Sequence, residues 1–136
     1  MCRQQPCRFD NLAVLNIMYD MVPKSAGQGH TTQLLHGVLD MCLLSIIDEE
    51  ASYGYEMVNK LRERGLDLSS EGSIYPLLSR LQKQGMIDGY LVQSSEGPAR
   101  KYYRMSDRGR RTLVQWRDEW ESFRSSVDDV LNGGRS

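Results

Sequence analysis

The stretch GSIYPLLSRLQKQGMI, residues 72–87, carries the pattern on which the fold prediction depends. One helical face holds its apolar residues, at the spacing i, i+3, i+4 and i+7: Ile74, Leu77, Leu78 and Leu81. Pro76 has no N–H to donate, so a helix accommodates it only in the first turn, where that N–H would have no partner. We therefore predict a helix that begins near Gly72 or Ser73 and ends at Gly85.

Two further helices are predicted before this one. Residues 34–47 are apolar almost all round, which is typical of a helix buried on most sides. Ser52 is a suitable N-cap for a second helix from Gly54 to about Arg64, and Gly65 suits its C-terminal end. A short turn then leads to the third helix.

The pattern after the third helix changes from helical to extended. Residues 86–92 and 101–105 are short and rich in Tyr, Val, Ile and Leu, and a Gly-Pro pair lies in the segment 93–100 between them. We predict a β-hairpin with a loop of several residues. Ser106 then caps a last helix that runs to about Leu131. This order predicts a mostly α fold with a small β-hairpin (α+β): a winged helix-turn-helix followed by a long C-terminal dimerisation helix.

The third helix and the hairpin together predict a surface for double-stranded DNA. If the apolar face points to the core, the opposite face presents hydroxyls and cations, with Pro76 near its edge: Ser73, Tyr75, Ser79, Arg80 and Lys83. We also expect free N–H groups at Gly72 and Ser73 to favour a phosphate, and Arg100 and Lys101 to extend from the hairpin tip. Taken alone, Tyr75 is equally well explained as a part-buried aromatic, and Arg80 or Lys83 as a solvated cation. Their occurrence together on one side favours DNA.

Charge is distributed unevenly although the net charge is only −1. Residues 97–117 contain seven bases and one acid, whereas residues 118–131 contain five acids and one base. This pattern is consistent with one surface that meets phosphates and another that does not. On charge alone, two solvated helix faces explain it equally well.

The last helix carries an apolar seam that predicts a homodimer. Its members are spaced 3, 4, 3, 4 and 3 residues apart, as in a coiled coil: Leu113, Trp116, Trp120, Phe123, Val127 and Val130. A helix about 37 Å long cannot bury such a seam completely against its own small domain, which is the competing interpretation. A second copy buries it most simply. Two recognition helices about 34 Å apart then predict an inverted-repeat operator.

Three segments resemble the PadR family of bacterial transcriptional regulators. They are YGYEMVNKL (residues 53–61), the opening stretch 72–87 and RKYYRMSDRG (residues 100–109), in the order and spacing of that family. The single C-terminal helix resembles the short subfamily and its multidrug-responsive members, which dimerise through that helix together with the first one. The resemblance implies a repressor whose DNA binding responds to a small ligand.

The resemblance also implies roles for individual residues. It assigns DNA contacts to members of the matching segments: Tyr53, Tyr75, Arg100, Lys101 and Tyr102. In the multidrug-responsive members a tryptophan of the last helix stacks flat aromatic ligands, which implies that Trp120 binds a small aromatic effector. Trp116 has no such counterpart, and we assign it to the same pore.

An enzyme is the competing class of function, and the sequence argues against it. His30 and His36 are the two histidines, and neither forms a Ser-His-Asp or Cys-His setting on one element. The GQGH segment lacks the Gly-Lys-Ser/Thr ending of a phosphate loop, and Cys2 and Cys7 lack zinc spacing. We expect no catalysis, no metal and no cofactor. A winged helix that binds a protein partner without binding DNA is the alternative function.

The domain prediction divides the chain into three parts. Residues 1–33 form a partly flexible extension with a short helix at 9–22 and a linker at 23–32, residues 34–105 form the winged domain, and residues 106–132 form the dimerisation helix. No apolar run approaches the roughly 20 residues of a membrane span, and polar residues interrupt the apolar segment near the start. We expect a cytoplasmic protein without a membrane partner.

Overall fold

The computed structural model describes residues 26–68 and 70–133, with the backbone alone for residues 26–29. The chain divides into two units, Met1–Val38 and Leu39–Ser136. In the first unit the described residues belong to helix α1 (Ala26–Glu49), which continues into the second. The helix predicted at 9–22 lies outside the described residues.

Helix α1 begins earlier than predicted. Residues 26–32, which were assigned to a linker, are helical, so the prediction of a linker over these residues is wrong. The physical reason is cooperativity, because extending an existing helix adds one hydrogen bond for each residue that is fixed. Two glycines in this stretch cost about 1 kcal/mol each relative to alanine, and there is no proline between 26 and 49 to stop the extension.

The predicted helix-turn-helix is present. After α1 come two helices and a 3-10 turn: α2 (Gly54–Glu63), the turn (Glu71–Ile74) and α3 (Tyr75–Lys83). Pro76 lies in the first turn of α3, as its missing N–H requires. Gly65 and Gly85 follow α2 and α3 with positive φ angles of 95° and 80°, as glycines that end helices commonly do.

The wing is part of a three-stranded antiparallel sheet of order β1-β3-β2. Its strands are β1 (Ser52–Tyr53), β2 (Ile87–Ser94) and β3 (Gly97–Met105). Ser94 pairs with Gly97, so only two residues connect β2 to β3 and the long loop predicted at 93–100 is wrong. Pro98 is tolerated in β3 because the pairing is irregular beside it, where no ladder N–H is needed.

Strand β1 was not predicted, and it changes the role of Ser52. The Ser52 hydroxyl is buried, donates to the Glu50 carbonyl at 2.9 Å and accepts from Lys60 Nζ at 3.4 Å. Helix α2 instead follows Tyr53, whose N–H donates to Glu56 Oε1 at 3.2 Å. The prediction of Ser52 as N-cap is therefore wrong, because Tyr53 occupies the capping position and the Ser52 hydroxyl bonds to Glu50 and Lys60 instead of to the first turn of α2.

Helix α4 (Asp107–Leu131) has the predicted bounds. The Ser106 hydroxyl accepts the Gly109 N–H at 3.0 Å and donates to the Gly85 carbonyl at 2.6 Å. The cap therefore also attaches the start of α4 to the turn after α3. No helix among the described residues is long and apolar enough to cross a lipid bilayer.

The core draws on α1, all three shorter elements of the helix-turn-helix, β2 and the start of α4. Its most completely buried apolar side chains are Leu43, Leu44, Met57, Ile74, Leu78, Leu81, Ile87 and Leu113. Leu113 is only 1% exposed within its own chain, so its assignment to the dimer seam is wrong. A side chain that already packs in the core has no surface left for a partner. The mostly helical fold with a small sheet is confirmed.

Candidate nucleic-acid interface

Helix α3 presents the predicted polar face to solvent. Leu78 and Leu81 are fully buried on its inner side. The residues predicted from the spacing are all exposed: Ser73, Tyr75, Pro76, Ser79, Arg80 and Lys83. The structure therefore brings together on one side of the molecule every predicted candidate from this segment.

Tyr75 is held in place by contacts on two sides. Its ring lies against Gly54 at the start of α2, where a β-carbon would overlap the tyrosine hydroxyl. The hydroxyl donates to Glu71 Oε2 at 2.6 Å. This hydrogen bond, together with partial burial and the Glu71 charge, raises the pKa of Tyr75 to about 12. Tyr75 is still 43% exposed, so the fixed ring remains open to a ligand.

The start of the recognition segment, by which we mean the 3-10 turn and α3 (residues 71–83), uses its hydrogen-bond donors for bonds within the turn. The N–H of Gly72 donates to Ser70 Oγ at 3.1 Å, and the N–H of Ser73 donates to the Ser70 carbonyl at 3.2 Å. The Ser73 hydroxyl donates to the same carbonyl at 2.7 Å. The prediction of free N–H groups at Gly72 and Ser73 is therefore wrong, because the hydroxyl and the carbonyl of Ser70 already accept their hydrogen bonds.

Arg80 differs from the free cation that the sequence suggested. Its guanidinium forms an ion pair with Asp40 of α1 and keeps 52% of its side chain exposed. A DNA phosphate would therefore compete with a carboxylate for this group. Lys83, one turn further along α3, is exposed beside it.

The two predicted wing cations lie within β3 and not at the hairpin tip. Arg100 pairs with Val92 and Lys101 with Leu91, so the prediction that they extend from the tip is wrong. Because successive residues of a strand point to opposite faces, the two side chains lie on different sides of the sheet. Lys101 lies on the inner face, where Nζ is 5.5 Å from the ring centroid of Tyr103.

Arg100 lies on the outer face, beside a row of aromatic rings. Tyr53, Tyr102 and Tyr90 occupy paired positions on β1, β3 and β2, and their ring centroids are 5.2 Å and 6.0 Å apart; we call these three residues the tyrosine row. The Cζ of Arg100 is 4.8 Å from the centroid of Tyr53, and that of Arg104 is 5.0 Å from the centroid of Tyr90. These are cation–π distances.

Tyr90 and Arg104 belong to this face but were not among the predicted site residues. The signal was the alternation of Arg100, Tyr102 and Arg104 along β3, which places all three on one side of a strand. Tyr90 could be assigned to this face only from the strand register, which pairs it with Tyr102.

The basic segment 97–117 is less available to phosphates than its composition suggests. Arg110 forms ion pairs with Asp48 and Asp107, each at 3.3 Å. Arg117 donates to Ser45 Oγ at 3.1 Å. Arg110 and Arg117 are therefore occupied by polar groups of the protein itself and, through Asp48 and Ser45, hold α4 against α1.

Helix α4 loses its contacts with the domain after its tryptophans. Trp116 and Trp120 are half-buried, and every residue from 121 to 133 is exposed. Phe123 is 63% exposed and Val130 is 78% exposed. The ring of Trp120 lies 6.3 Å from that of Phe123, so an aromatic pair marks the beginning of the exposed part.

Metal chemistry has no candidate site in residues 26–68 and 70–133. No three side chains among the His, Cys, Asp and Glu residues described there form a group that could hold a metal ion. Cys42 is half-buried, and burial raises the pKa of its thiol, which makes it a weak nucleophile.

Comparison with known proteins identifies the winged region. The model of the transcriptional regulator PadR-like family matches residues 43–115. The crystal structure of a PadR-like transcriptional regulator from Bacillus cereus is 46% identical, with a TM-score of 0.65, and the match covers 73% of this chain and 96% of that one. For a PadR family transcriptional regulator from Eggerthella lenta the identity is 29% and the TM-score 0.68, over 88% of this chain and 96% of that one.

A curated relative is also described as a transcriptional regulator. The transcriptional regulator YqjI of Escherichia coli is 29% identical over 94 residues, which are 68% of this chain but 44% of YqjI. Residues 43–115, which the family model matches, contain the helix-turn-helix, the wing and the start of α4. The predicted winged helix fold is confirmed, and the family consists of DNA-binding transcriptional regulators and not of enzymes. This chain belongs to the PadR-like family of transcriptional regulators.

Proposed function

We propose that the protein is a homodimeric, ligand-responsive repressor that binds an inverted-repeat operator in double-stranded DNA. The observation that carries this proposal is the exposed polar face of α3, which lies beside a wing with cations on both of its faces. Helix α3 enters the major groove with Ser73, Tyr75, Pro76 and Ser79 towards the base edges. Lys83 lies towards the phosphate backbone.

The placement of the wing cations supports binding between two phosphate strands. A hairpin that enters a minor groove has one strand of the duplex on each side. Arg100 on the outer face and Lys101 on the inner face each have a phosphate within reach in that arrangement. Tyr53 packs against Arg100 and Tyr90 against Arg104, and the ring of Tyr102 packs between those two tyrosines.

The open part of α4 supports the dimer. Its seam now begins after Leu113 and consists of Trp116, Trp120, Phe123, Val127 and Val130. Two tryptophans and a phenylalanine in each chain supply several kcal/mol at about 25 cal/mol per Å² of apolar surface buried. The two-fold axis of such a dimer presents the two α3 helices to successive major grooves.

The tryptophans support an effector site at the dimer centre. Trp116 and Trp120 lie where α4 leaves the winged domain and are only half-buried in one chain. A second copy brings two more tryptophans to the same place. Flat indole rings in a partly apolar pore bind planar aromatic molecules by stacking, and binding there changes the distance between the two DNA-reading helices.

The salt dependence of DNA binding tests the proposal. Anisotropy titrations use the full chain and duplexes from the region upstream of its own gene, between about 50 and 200 mM salt. We expect affinity to fall steeply with salt, and Arg100→Ala and Lys101→Ala each to reduce the slope by about 0.9. Arg64→Ala, which removes an exposed cation already bound to Glu49, is the matched control and leaves the slope unchanged. A flat salt response of the native chain would contradict DNA binding and favour a protein partner.

A further inference from the structure

The start of the recognition segment presents hydrogen-bond acceptors. Two exposed hydroxyls lie there, and each has already donated its hydrogen: Ser73 to the Ser70 carbonyl at 2.7 Å and Tyr75 to the Glu71 carboxylate at 2.6 Å. What these groups offer to a ligand is therefore oxygen lone pairs. We call Glu71, Ser73 and Tyr75 the acceptor face.

The direction of the Tyr75 hydrogen bond is determined by its chemistry. A carboxylate carries no hydrogen, so the hydrogen must come from the tyrosine. Bonds of this kind from a hydroxyl to a charged oxygen are short and strong, and the distance of 2.6 Å agrees. The pKa of Tyr75 is raised to about 12, so the hydroxyl keeps its hydrogen at every physiological pH. Gly54 allows the ring to approach α2 closely, which fixes its position.

Such a face is unsuited to the phosphate backbone. Phosphate oxygens are themselves negatively charged acceptors, and Glu71 adds a like charge at short range. The two backbone N–H groups that might have offset this, those of Gly72 and Ser73, are bound to Ser70. The cations that we propose for phosphate contacts lie elsewhere, on the wing (Arg100 and Lys101) and further along α3 (Lys83).

Base edges in the major groove supply the complementary donors. Adenine presents its N6 amino group and cytosine its N4 amino group, whereas guanine and thymine present only acceptors there. Each base pair has its amino group on one strand, so an acceptor face distinguishes the two strands. We infer that the acceptor face reads base amino groups, so that the operator has adenine or cytosine, and not guanine or thymine, on the strand it contacts. This inference rests on the DNA-binding function proposed above.

The first experiment selects binding sites for the full chain from a library of randomised duplexes. We expect at least one position in each half-site to prefer adenine or cytosine. Tyr75→Phe and Ser73→Ala, which remove acceptors and keep the packing, reduce the preference at that position. Glu71→Ala releases the Tyr75 hydrogen and moves the preference towards guanine or thymine. Two matched controls leave the preference unchanged: Tyr55→Phe, which removes another exposed tyrosine hydroxyl, and Glu96→Ala, which removes a carboxylate at the wing tip.

The second experiment removes a single amino group from the DNA. In the selected duplex, the preferred adenine is replaced by purine, or the preferred cytosine by pyrimidin-2-one. We expect the native chain to lose about three- to tenfold in affinity, the scale of one hydrogen bond between uncharged groups. The Tyr75→Phe or Ser73→Ala variant that had lost the preference at this position loses nothing further, because its partner atom is already missing.

The outcomes separate this inference from the proposed function. If no duplex is retained, or if binding is independent of salt, DNA binding itself is contradicted. If sites are selected but their preferences survive both Tyr75→Phe and Ser73→Ala, the acceptor face does not read bases and the inference is wrong. A preference for guanine or thymine at the sensitive position would also overturn it, because the hydroxyl would then be a donor.

Discussion

The winged domain together with the first turns of α4, residues 39–113, and the distal part of α4, residues 114–131, bury their apolar side chains to different extents. The large buried side chains of the winged domain, such as Leu43, Ile74 and Leu113, are at most 1% exposed. The distal part leaves Phe123 and Val130 mostly in water, at 63% and 78% exposure. The domain thus has a core of its own, whereas the described part of the distal helix exposes an apolar face, which we propose that a second copy covers.

A single heptad pattern runs through both regions, although the chain itself buries the pattern only in the first of them. Leu113 and Val127 occupy the same kind of position in the seam, yet one is in the core and the other is 38% exposed. The pattern therefore predicts an apolar position but does not predict whether the chain itself buries that side chain. Folding depends on the first turns of α4, and we propose that association depends on the rest.

The largest effect is expected for a charge placed in the open seam. Val127→Glu introduces two carboxylates into the proposed dimer interface, and desolvating each costs several kcal/mol. We expect the dimer dissociation constant to rise at least about 100-fold, measured by sedimentation equilibrium. Ser125→Glu adds the same charge beside the seam and leaves the dimer intact. A Val127→Glu variant that sediments as the native dimer would show that α4 is covered in another way.

The next largest effect is expected in the core. Leu113→Ala leaves a cavity and lowers the free energy of unfolding by about 2–5 kcal/mol, measured by urea denaturation at one fixed protein concentration. Val114→Ala truncates the exposed neighbour, which is 60% exposed, and changes stability by less than about 0.5 kcal/mol. Equal losses in the two variants would mean that the division between core and seam does not fall where the structure places it.

A third effect concerns the tryptophans at the junction of the two regions. Trp120→Ala weakens the binding of a planar aromatic probe, proflavine, by about tenfold or more, because truncation of a stacking tryptophan removes most of its contact area. Quenching of the remaining Trp116 reports the binding. DNA affinity in the absence of the probe stays within about twofold when it is measured at a protein concentration at which sedimentation shows the variant to be as dimeric as the native chain, since Trp120 also lies in the seam. Unchanged proflavine binding would remove Trp120 from the effector site.

The smallest effect concerns the tyrosine row within the winged domain. Tyr53→Leu removes the ring below Arg100 and weakens DNA binding about two- to fivefold, as expected for an exposed cation–π contact. Tyr53→Phe keeps the ring and the affinity. In an Arg100→Ala background, Tyr53→Leu has no additional effect, since the tyrosine acts by positioning the arginine. Additive losses in the double variant would instead indicate that Tyr53 contacts DNA itself.

The parts that could be predicted from sequence are those with a local physical cause. Pro76 determines where a helix can begin because of its missing N–H, and Ser106 and the glycine at 133 delimit α4 in the same local way. The apolar spacing from Ile74 to Leu81 predicts which side of α3 is buried. The polar face of α3 follows directly from it.

The parts that could not be predicted depend either on partners distant in sequence or on local side-chain geometry that the residue types do not specify. Strand β1 has only two residues and exists because β3 pairs with it. Ser70 accepts hydrogen bonds from the N–H groups of Gly72 and Ser73, and Glu71 accepts one from the Tyr75 hydroxyl. The residue types do not specify the geometry of these short-range bonds. Asp40 engages Arg80 from a helix 40 positions away.

The sequence by itself determined the kind of molecule: three helices, a wing and a long helix with an apolar seam, because capping, proline chemistry and periodicity act over a few residues. Only the tertiary structure decided which groups remain available. It buried Leu113 in the core of its own chain, brought Tyr53 of β1 beside Tyr102 of β3, and paired Arg80 with Asp40. The reason is that burial and hydrogen bonding are settled by the nearest atoms in space, and these come from elements that are far apart along the chain.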